Sequence, residues 1–555
     1  MDHRSTTVPL APAAALGALP TFRVLVADGI DQDGVDLLRA EPRLQVEVSA
    51  TLPTPELVAR IADFDAVIVR SATKVTEEVI KRGVKLKAIG RAGVGIDNIA
   101  LKAATTHGIA VINSPAGNTI AVAELFFASV LGLLRHLPAA DATMKAGKWD
   151  RNKLVGRELF GRTLGIVGVG PIGGEVATRA RAFGMRVMAF DPYVSDARLQ
   201  ALQVQRAVSL EVLLASSDIL TVHTPLTEET RGLIGKKAFA QLAPTAVVVN
   251  LARGGIIDQE ALVEALAQKQ IAGAVLDVYD VEPLPPDHPL RTAPNVVLTP
   301  HLGASTIEAQ RNVAVDACAA VRDALLHKEF GRSVNVASLD GIGWSEIQPA
   351  LQLTQRMAAV ARALLADKGV KLVGRLSVRV GPEFTGGREA FLAAAALGAL
   401  EGVVESERVN LINARAVATA RGLEVAVGDV VDAPNPAAIE VTVGSGLESV
   451  TVSGMAAQRA NPRITWIEGF RVDIVPRQTL IILTNNDVPG VIGRVGTLLG
   501  AAGVNIAEYH QARLRQGGEA MAAVSVDDPV GQEVRRQLLE LPDVRSATIV
   551  SFQPA

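Results

Sequence analysis

Three residues suited to acid–base and anion chemistry sit at the ends of apolar, strand-like runs. They are Arg253 in NLARGGIID, Glu282 in LDVYDVEP and His301 in LTPHLGA. In a doubly wound α/β fold, ligands bind at the carboxyl ends of the strands, so the three can converge on one cleft. Hydride transfer between a nicotinamide and a 2-hydroxy acid needs such a trio. Arg253 would clamp the substrate carboxylate with a forked guanidinium and polarise the C2 oxygen. His301 would take the hydroxyl proton during oxidation and return it during reduction. Glu282 would hold the imidazole ring and favour its protonated form. Taken singly, each has a plain reading as a strand cap, a solvated loop acid or a satisfied strand-end histidine. A dinucleotide motif in the same lobe favours the catalytic reading of the set.

That motif runs from Leu164 to Asp191 and reads as one βαβ unit. Gly168, Gly170 and Gly173 make a G-x-G-x-x-G turn around Pro171 and Ile172. The first glycine permits the tight turn, the second lets backbone approach a pyrophosphate, and the third lets helix lie against strand. The pyrophosphate would sit on the free N–H groups and positive dipole end of the helix. Asp191 follows at the end of the second strand, placed to accept hydrogen bonds from the adenosine ribose. Its charge repels a 2′-phosphate, and Pro192 stands where an NADP enzyme often has a basic residue. The cofactor expected is therefore NAD.

Beyond these motifs, 555 residues suggest three or four domains, each able to bury its own core. A net charge of −3 without long single-sign runs gives no electrostatic footprint for nucleic acid or an anionic membrane. The longest apolar stretch, Ile120–Leu134, is interrupted by Glu124 and too short to span a bilayer. One cysteine, Cys318, in an alanine-rich helical stretch, reads as a buried inert thiol and suits a reducing cytoplasm. It cannot form an internal disulfide, and no metal site is expected. Residues 1–20 are rich in alanine and proline and read as a disordered extension.

From Phe22 short β-branched runs alternate with helices, which implies parallel sheets with right-handed crossovers. The expectation is two doubly wound parallel-sheet lobes, a flavodoxin-like lobe and a Rossmann-like nucleotide lobe. The first takes residues 21–117 and regains 302–335 through a returning helix; the second takes 118–301. Long helical stretches are expected at Asn118–Gly147 and Ile96–His107. Residues 336–476 read as an α+β module without concentrated chemistry. Residues 477–555 read βαββαβ, a ferredoxin-like order.

These segments together resemble the D-isomer-specific 2-hydroxyacid dehydrogenase family. The second lobe matches it in the glycine-rich unit, in ILTVHTPLTEETRGLIG, in VVVNLARGGIIDQEALVEAL, and in the Glu-Pro and Pro-His-Leu-Gly-Ala elements. VRSATKV (69–75), GRAGVGIDNI (90–99) and the two C-terminal modules resemble the long members of the family that act on 3-phosphoglycerate. The middle module is similar to their intervening allosteric-substrate-binding domain and the last to an ACT domain. The resemblance implies NAD-dependent oxidation of 3-phosphoglycerate to 3-phosphohydroxypyruvate, the first step of serine biosynthesis, by a cytoplasmic homotetramer. It implies substrate contacts from Arg70, Ser71, Gly93, Val94 and Asn118, besides Arg253 and His301. It implies cofactor contacts from Thr119, Thr224, Pro225, Ala252 and Asp277. Arg151 is implied to reach a neighbouring subunit's site, and Trp149 to help dimer contact. A phosphorylated acid also needs extra cations, and Arg70, Lys74 and Arg91 lie in the loops that would face the cleft.

In TNNDVPGVIGRVGTLLGAAGVNI, Asp487 and Asn505 would suit an amino acid's ammonium and carboxylate across an interface. The resemblance implies L-serine as feedback inhibitor; the plain alternative makes Asp487 a helix N-cap. Two rival functions are another D-2-hydroxyacid dehydrogenase with an unphosphorylated substrate, and a non-catalytic NAD-sensing partner-binding protein.

Overall fold

The computed structural model describes residues 20–337, 339, 342–370, 372–401, 409–431, 435–457 and 462–552. The extension expected over 1–20 lies outside them but for Pro20. The first lobe is a parallel sheet of β1 (Phe22–Val26), β2 (Leu44–Val48), β3 (Ala66–Val69), β4 (Ala88–Arg91) and β5 (Ala110–Asn113), in the order β2-β1-β3-β4-β5. This is the flavodoxin-like order. Its central strands are apolar and mostly buried on both faces, as strands covered by helices on both sides must be.

The second lobe contains β6 (Thr163–Val167), β7 (Arg186–Phe190), β8 (Gln205–Arg206), β9 (Ile219–Val222), β10 (Val247–Asn250), β11 (Gly273–Leu276) and β12 (Val296–Leu298). They form one parallel sheet in the order β12-β11-β10-β9-β6-β7-β8. The strand order reverses between β6 and β9, which opens a crevice above their carboxyl ends. The chain passes between lobes twice. The helix Thr119–Leu134 packs Val122, Phe126 and Val130 into the second lobe beside Leu164 and Ile166. The helix Ile307–His327 packs Val313, Ala317 and Val321 into the first lobe beside Val24, Ile68 and Ile112. Asn118 and His301 lie at these two crossings.

Two helical expectations are corrected. The stretch Asn118–Gly147 is two helices, Thr119–Leu134 and Leu137–Lys145, separated by His136 in the left-handed region (φ 52°). Pro138 has no N–H to give to Leu134 and its ring would strike that carbonyl, at a cost of about 3 kcal/mol in a continuous helix. The Leu134 carbonyl accepts instead from Arg157 N (3.0 Å). The helix expected from Ile96 begins only at Leu101. Upstream of it, Asn98 spends its side-chain amide on the carbonyls of Arg70 and Thr73 (2.7 Å each), which holds 92–100 as a loop over the first sheet.

The third unit is a mixed six-stranded sheet with the helices Trp344–Asp367 and Arg388–Leu400 packed on it. The C-terminal unit is a four-stranded antiparallel sheet, ordered Ile506–Arg513, Glu519–Val526, Thr479–Asn486, Val544–Ser551. The helices Val491–Ala501 and Gln532–Glu540 pack on one face of that sheet. Its other face puts Leu480, Ile482, Met521 and Val550 into the same core as Leu353 and Met357 of the helix Trp344–Asp367. The two units thus share apolar packing, each large buried side chain contributing roughly 1.5–3 kcal/mol. The fold class read from the sequence holds in all four parts. Cys318 is fully buried in the first lobe, and burial pushes its thiol up to about 12. Among the described residues no single helix is long and apolar enough to cross a membrane.

Candidate active site

The three residues expected to be catalytic stand on three consecutive strand ends of the second lobe. Arg253 follows β10, Glu282 lies beyond β11 and His301 beyond β12. His301 Nδ1 is 2.7 Å from Glu282 Oε2, and Glu282 Oε1 accepts from Tyr279 N (3.0 Å). His301 itself is left-handed (φ 58°), a conformation histidine tolerates better than most residues. Asp277 is fully buried. Its Oδ1 accepts from Thr299 Oγ1 (2.6 Å) and Leu302 N (2.7 Å), and its Oδ2 from Gly303 N (2.9 Å). The carboxylate implied to contact the cofactor therefore holds the loop that carries His301.

Arg253 is fixed from both lobes. Its Nη1 donates to the Ala252 carbonyl (2.6 Å) and its Nε pairs with Asp97 Oδ2 of the first lobe (3.0 Å). Gly95 gives the guanidinium room: a Cβ there would lie 1.8 Å from Nη2. Arg91 packs in the same way against Gly93, where a Cβ would lie 1.3 Å from its Nη1. Gly93 has φ 144°, outside the usual range of other residues. Burial lowers the Arg91 guanidinium to about 10, helped by the charges of Arg253 and Arg70 and opposed by Asp97 and Asp28. Three guanidiniums thus crowd one mouth, and an anion placed among them relieves their repulsion. Arg91 Nε is buried without a hydrogen-bond partner.

The 69–75 loop is held by Asp28, whose Oδ2 accepts from Arg70 N and Thr73 N (2.9 Å each) and whose Oδ1 accepts from Thr73 Oγ1 (2.6 Å). Arg70 is half-buried there, while Ser71 and Lys74 are exposed. Val94 is held through its carbonyl by Asn113 Nδ2. Asn118 caps no N–H with its side chain; its Oδ1, Thr119 Oγ1 and Thr224 Oγ1 are all buried and unpartnered. Buried polar atoms are ordinarily hydrogen-bonded, so this group points to a ligand that supplies the missing partners. Arg151 and Trp149 are exposed, away from any core of this chain.

The glycine turn fits a dinucleotide. Gly168 has φ 90°, and a Cβ on Gly173 would lie 2.1 Å from the Gly168 carbonyl oxygen. A Cβ on Gly170 would meet nothing within 4 Å, so the space beside it is open. Gly170 opens the helix Pro171–Ala182, with Ile172 packed beneath, and Pro171 supplies the fixed φ of a first helical residue. Asp191 Oδ2 accepts from Val169 N (2.8 Å) and Oδ1 from Tyr193 N (2.9 Å), leaving further lone pairs for ribose hydroxyls. Pro225 is exposed on the facing loop, where its carbonyl accepts from Thr230 Oγ1 (2.7 Å). Asp28, Asp97 and Asn98 were not singled out in the sequence, although Asp97 and Asn98 lie within GRAGVGIDNI (90–99) and Asp28-Gly29 forms the turn after β1.

In the C-terminal unit Asp487 is not a helix N-cap. The helix begins at Val491 behind Gly490 (φ 89°). Asp487 Oδ2 accepts instead from Gly517 N (2.9 Å) and pairs with Arg513 (3.3 Å), contacts that lower its carboxyl below the ordinary value, the Gly517 bond most. Asn505 Nδ2 donates to Asp527 Oδ2 (2.8 Å) at the opposite end of the sheet.

The D-isomer specific 2-hydroxyacid dehydrogenase NAD binding domain family matches residues 127–303, and the ACT domain family matches 479–543. A D-3-phosphoglycerate dehydrogenase of Synechocystis sp. is 39% identical over 550 residues, 98% of this chain and 97% of that protein. One of Archaeoglobus fulgidus is 39% identical over 96% of this chain and 100% of its own length, and one of Bacillus subtilis 38% over the same shares. Among solved structures, the TT0316 protein of Thermus thermophilus is 38% identical (TM-score 0.52), covering 56% of this chain and 99% of its own. A glyoxylate reductase of Paecilomyes thermophila is 30% identical (TM-score 0.52), covering 56% and 97%. The chain belongs to the D-3-phosphoglycerate dehydrogenase family, as an NAD-dependent D-2-hydroxyacid dehydrogenase with an ACT domain.

Proposed function

We propose that the protein oxidises D-3-phosphoglycerate to 3-phosphohydroxypyruvate, the first step of L-serine biosynthesis. The observation that carries this reading is that the buried Arg91 feels the charges of both Arg253 and Arg70, with Gly93 and Gly95 making room for the Arg91 and Arg253 guanidiniums. A simple 2-hydroxy acid brings one carboxylate. Three guanidiniums suit a carboxylate and a phosphate together. Arg253 clamps the carboxylate and draws on the C2 oxygen. Arg70 and Arg91 hold the phosphate, with Ser71, Gly93, Val94 and Asn118 around the substrate.

When bound, NAD supplies the acceptor for the hydride leaving C2. As the C2–H bond breaks, the His301 imidazole takes the hydroxyl proton and the C2 carbonyl forms. Glu282 faces the far side of the ring and stabilises the charge that develops on it. Thr119, Thr224, Pro225 and Ala252 line the cofactor's course from the glycine turn to His301. NADH formation from D-3-phosphoglycerate, with D-lactate as the unphosphorylated control, tests the reading.

The proposal extends to a cytoplasmic homotetramer whose ACT units bind L-serine. Exposed Trp149, Val155 and Phe160 (78–80% accessible) support assembly, since a second copy would cover them. Asp487 and Asn505 belong to opposite ends of one sheet. A serine pocket built from both therefore draws one residue from each of two copies.

A further inference from the structure

We propose that Tyr193 and Glu229 form a clasp across the adenosine end of the cofactor crevice, and that Glu229 joins Asp191 in excluding a 2′-phosphate. Tyr193 lies on the loop after β7 and Glu229 on the loop after β9. The sheet order β9-β6-β7 places β6 between these strands. A bond between the two loops therefore passes over the end of β6, where the glycine turn and the helix N-terminus lie. Tyr193 Oη donates to Glu229 Oε2 at 3.2 Å, across 36 residues of sequence.

The clasp is continuous with the acid that reads the ribose. Tyr193 N donates to Asp191 Oδ1, and Asp191 Oδ2 accepts from Val169 N in the glycine turn. The tyrosine is 84% accessible, an aromatic face held in place by its hydroxyl with nothing of the protein over it. An adenine is a flat partner of matching chemistry, and stacking on an aromatic side chain is favourable for a base.

The charges favour a free 2′-hydroxyl. Asp191 and Glu229 both press negative charge on the Tyr193 phenol, raising it from its ordinary value, Glu229 most strongly. One cation near Asp191, Arg206, is already committed. Arg206 donates to the carbonyls of Asp191 (3.1 Å) and Val194 (2.7 Å) and pairs with Asp196 (2.7 Å). A 2′-phosphate entering here meets two carboxylates and a guanidinium already engaged.

This inference rests on the cofactor crevice and is independent of which acid is oxidised. The test is calorimetric titration of the full-length protein with NADH and with NADPH, so a failure to turn over 3-phosphoglycerate leaves it readable. Tyr193→Ala is expected to weaken NADH binding about tenfold. Tyr193→Phe keeps the ring and is expected to weaken it less than about threefold. Glu229→Gln is expected to narrow the NADH/NADPH preference about tenfold, chiefly by tighter NADPH binding. Far-ultraviolet dichroism and the melting temperature of each variant report folding. NADH affinity unchanged in folded Tyr193→Ala overturns the clasp. A cofactor preference unchanged in Glu229→Gln overturns the selectivity.

Discussion

Asp97 of the first lobe and Arg253 of the second meet at 3.0 Å, Oδ2 to Nε, across 156 residues of sequence. The pair fixes the orientation of the guanidinium. Asp97 is 72% accessible in its side chain, so the ion pair contributes under about 1 kcal/mol to stability. The expected effect of Asp97→Ala is therefore kinetic. The melting temperature stays within about 2 °C, while kcat/KM for the hydroxy acid falls about tenfold as Arg253 loses its setting. Asp97→Asn keeps an acceptor oxygen and recovers most of the loss. Steady-state kinetics beside thermal melts separate the two effects.

Glu282 touches the imidazole at 2.7 Å and the backbone N–H of Tyr279 at 3.0 Å. Glu282→Gln preserves the shape of both contacts and removes the charge opposite His301. We expect kcat to fall about 10²-fold with KM within about threefold, since the charge acts on the ring only as the proton arrives. A KM rise with kcat intact would assign Glu282 to substrate binding instead.

Arg91 is the sequence's understated cation. Its pull toward about 10 records burial and the repulsion of Arg253 and Arg70. Arg91→Met removes one donor set from a phosphate while retaining an apolar stem. The expected loss is about 10–100-fold in kcat/KM for D-3-phosphoglycerate, from a charge-assisted hydrogen bond of about 1.5–3 kcal/mol. D-lactate turnover, however slow, stays within about threefold. Equal losses on both substrates would place Arg91 away from the phosphate.

His223 gives the second lobe a pH dependence. Burial lowers its imidazole from 6.5 to about 4, its Nδ1 lacks a partner, and its ring lies edge-on to Phe126 at 6.4 Å. Between these values the unfolded chain binds a proton that the folded chain does not. The stabilisation is complete above pH 6.5 and is lost as pH falls toward 4, up to about 3 kcal/mol. Melting temperatures from pH 7.5 to 4.5 should fall more steeply in the wild type than in His223→Asn. Parallel curves would remove His223 from the account.

The parts legible in the sequence were those encoded locally. The glycine turn, its helix and Asp191 lie within one short unit, and strand ends marked Arg253, Glu282 and His301. Contacts made by tertiary proximity were not legible. Nothing around Asp97 signals Arg253, and Asp28 reaches Arg70 and Thr73 over more than forty residues. The single long helix from Asn118 was overextended because its apolar pattern outweighed one proline, although the lost N–H at Pro138 decides the break. Asp487 resembled an N-cap, but Gly490 turns the chain first and the carboxylate is taken by Gly517. The resemblance implies a cofactor contact for Asp277; in the fold its oxygens accept from Thr299, Leu302 and Gly303.

The most direct measurement is NADH formation from D-3-phosphoglycerate and NAD by the wild type and by His301→Ala, each run with and without L-serine. The account predicts turnover by the wild type and a fall of at least about 10³-fold in the variant, with NADH affinity retained. Suppression of the wild-type rate by serine extends the account to the Asp487 and Asn505 positions; indifference confines it to the catalytic cleft. A wild type silent in both directions, or a His301→Ala variant turning over at the wild-type rate, contradicts the central claim.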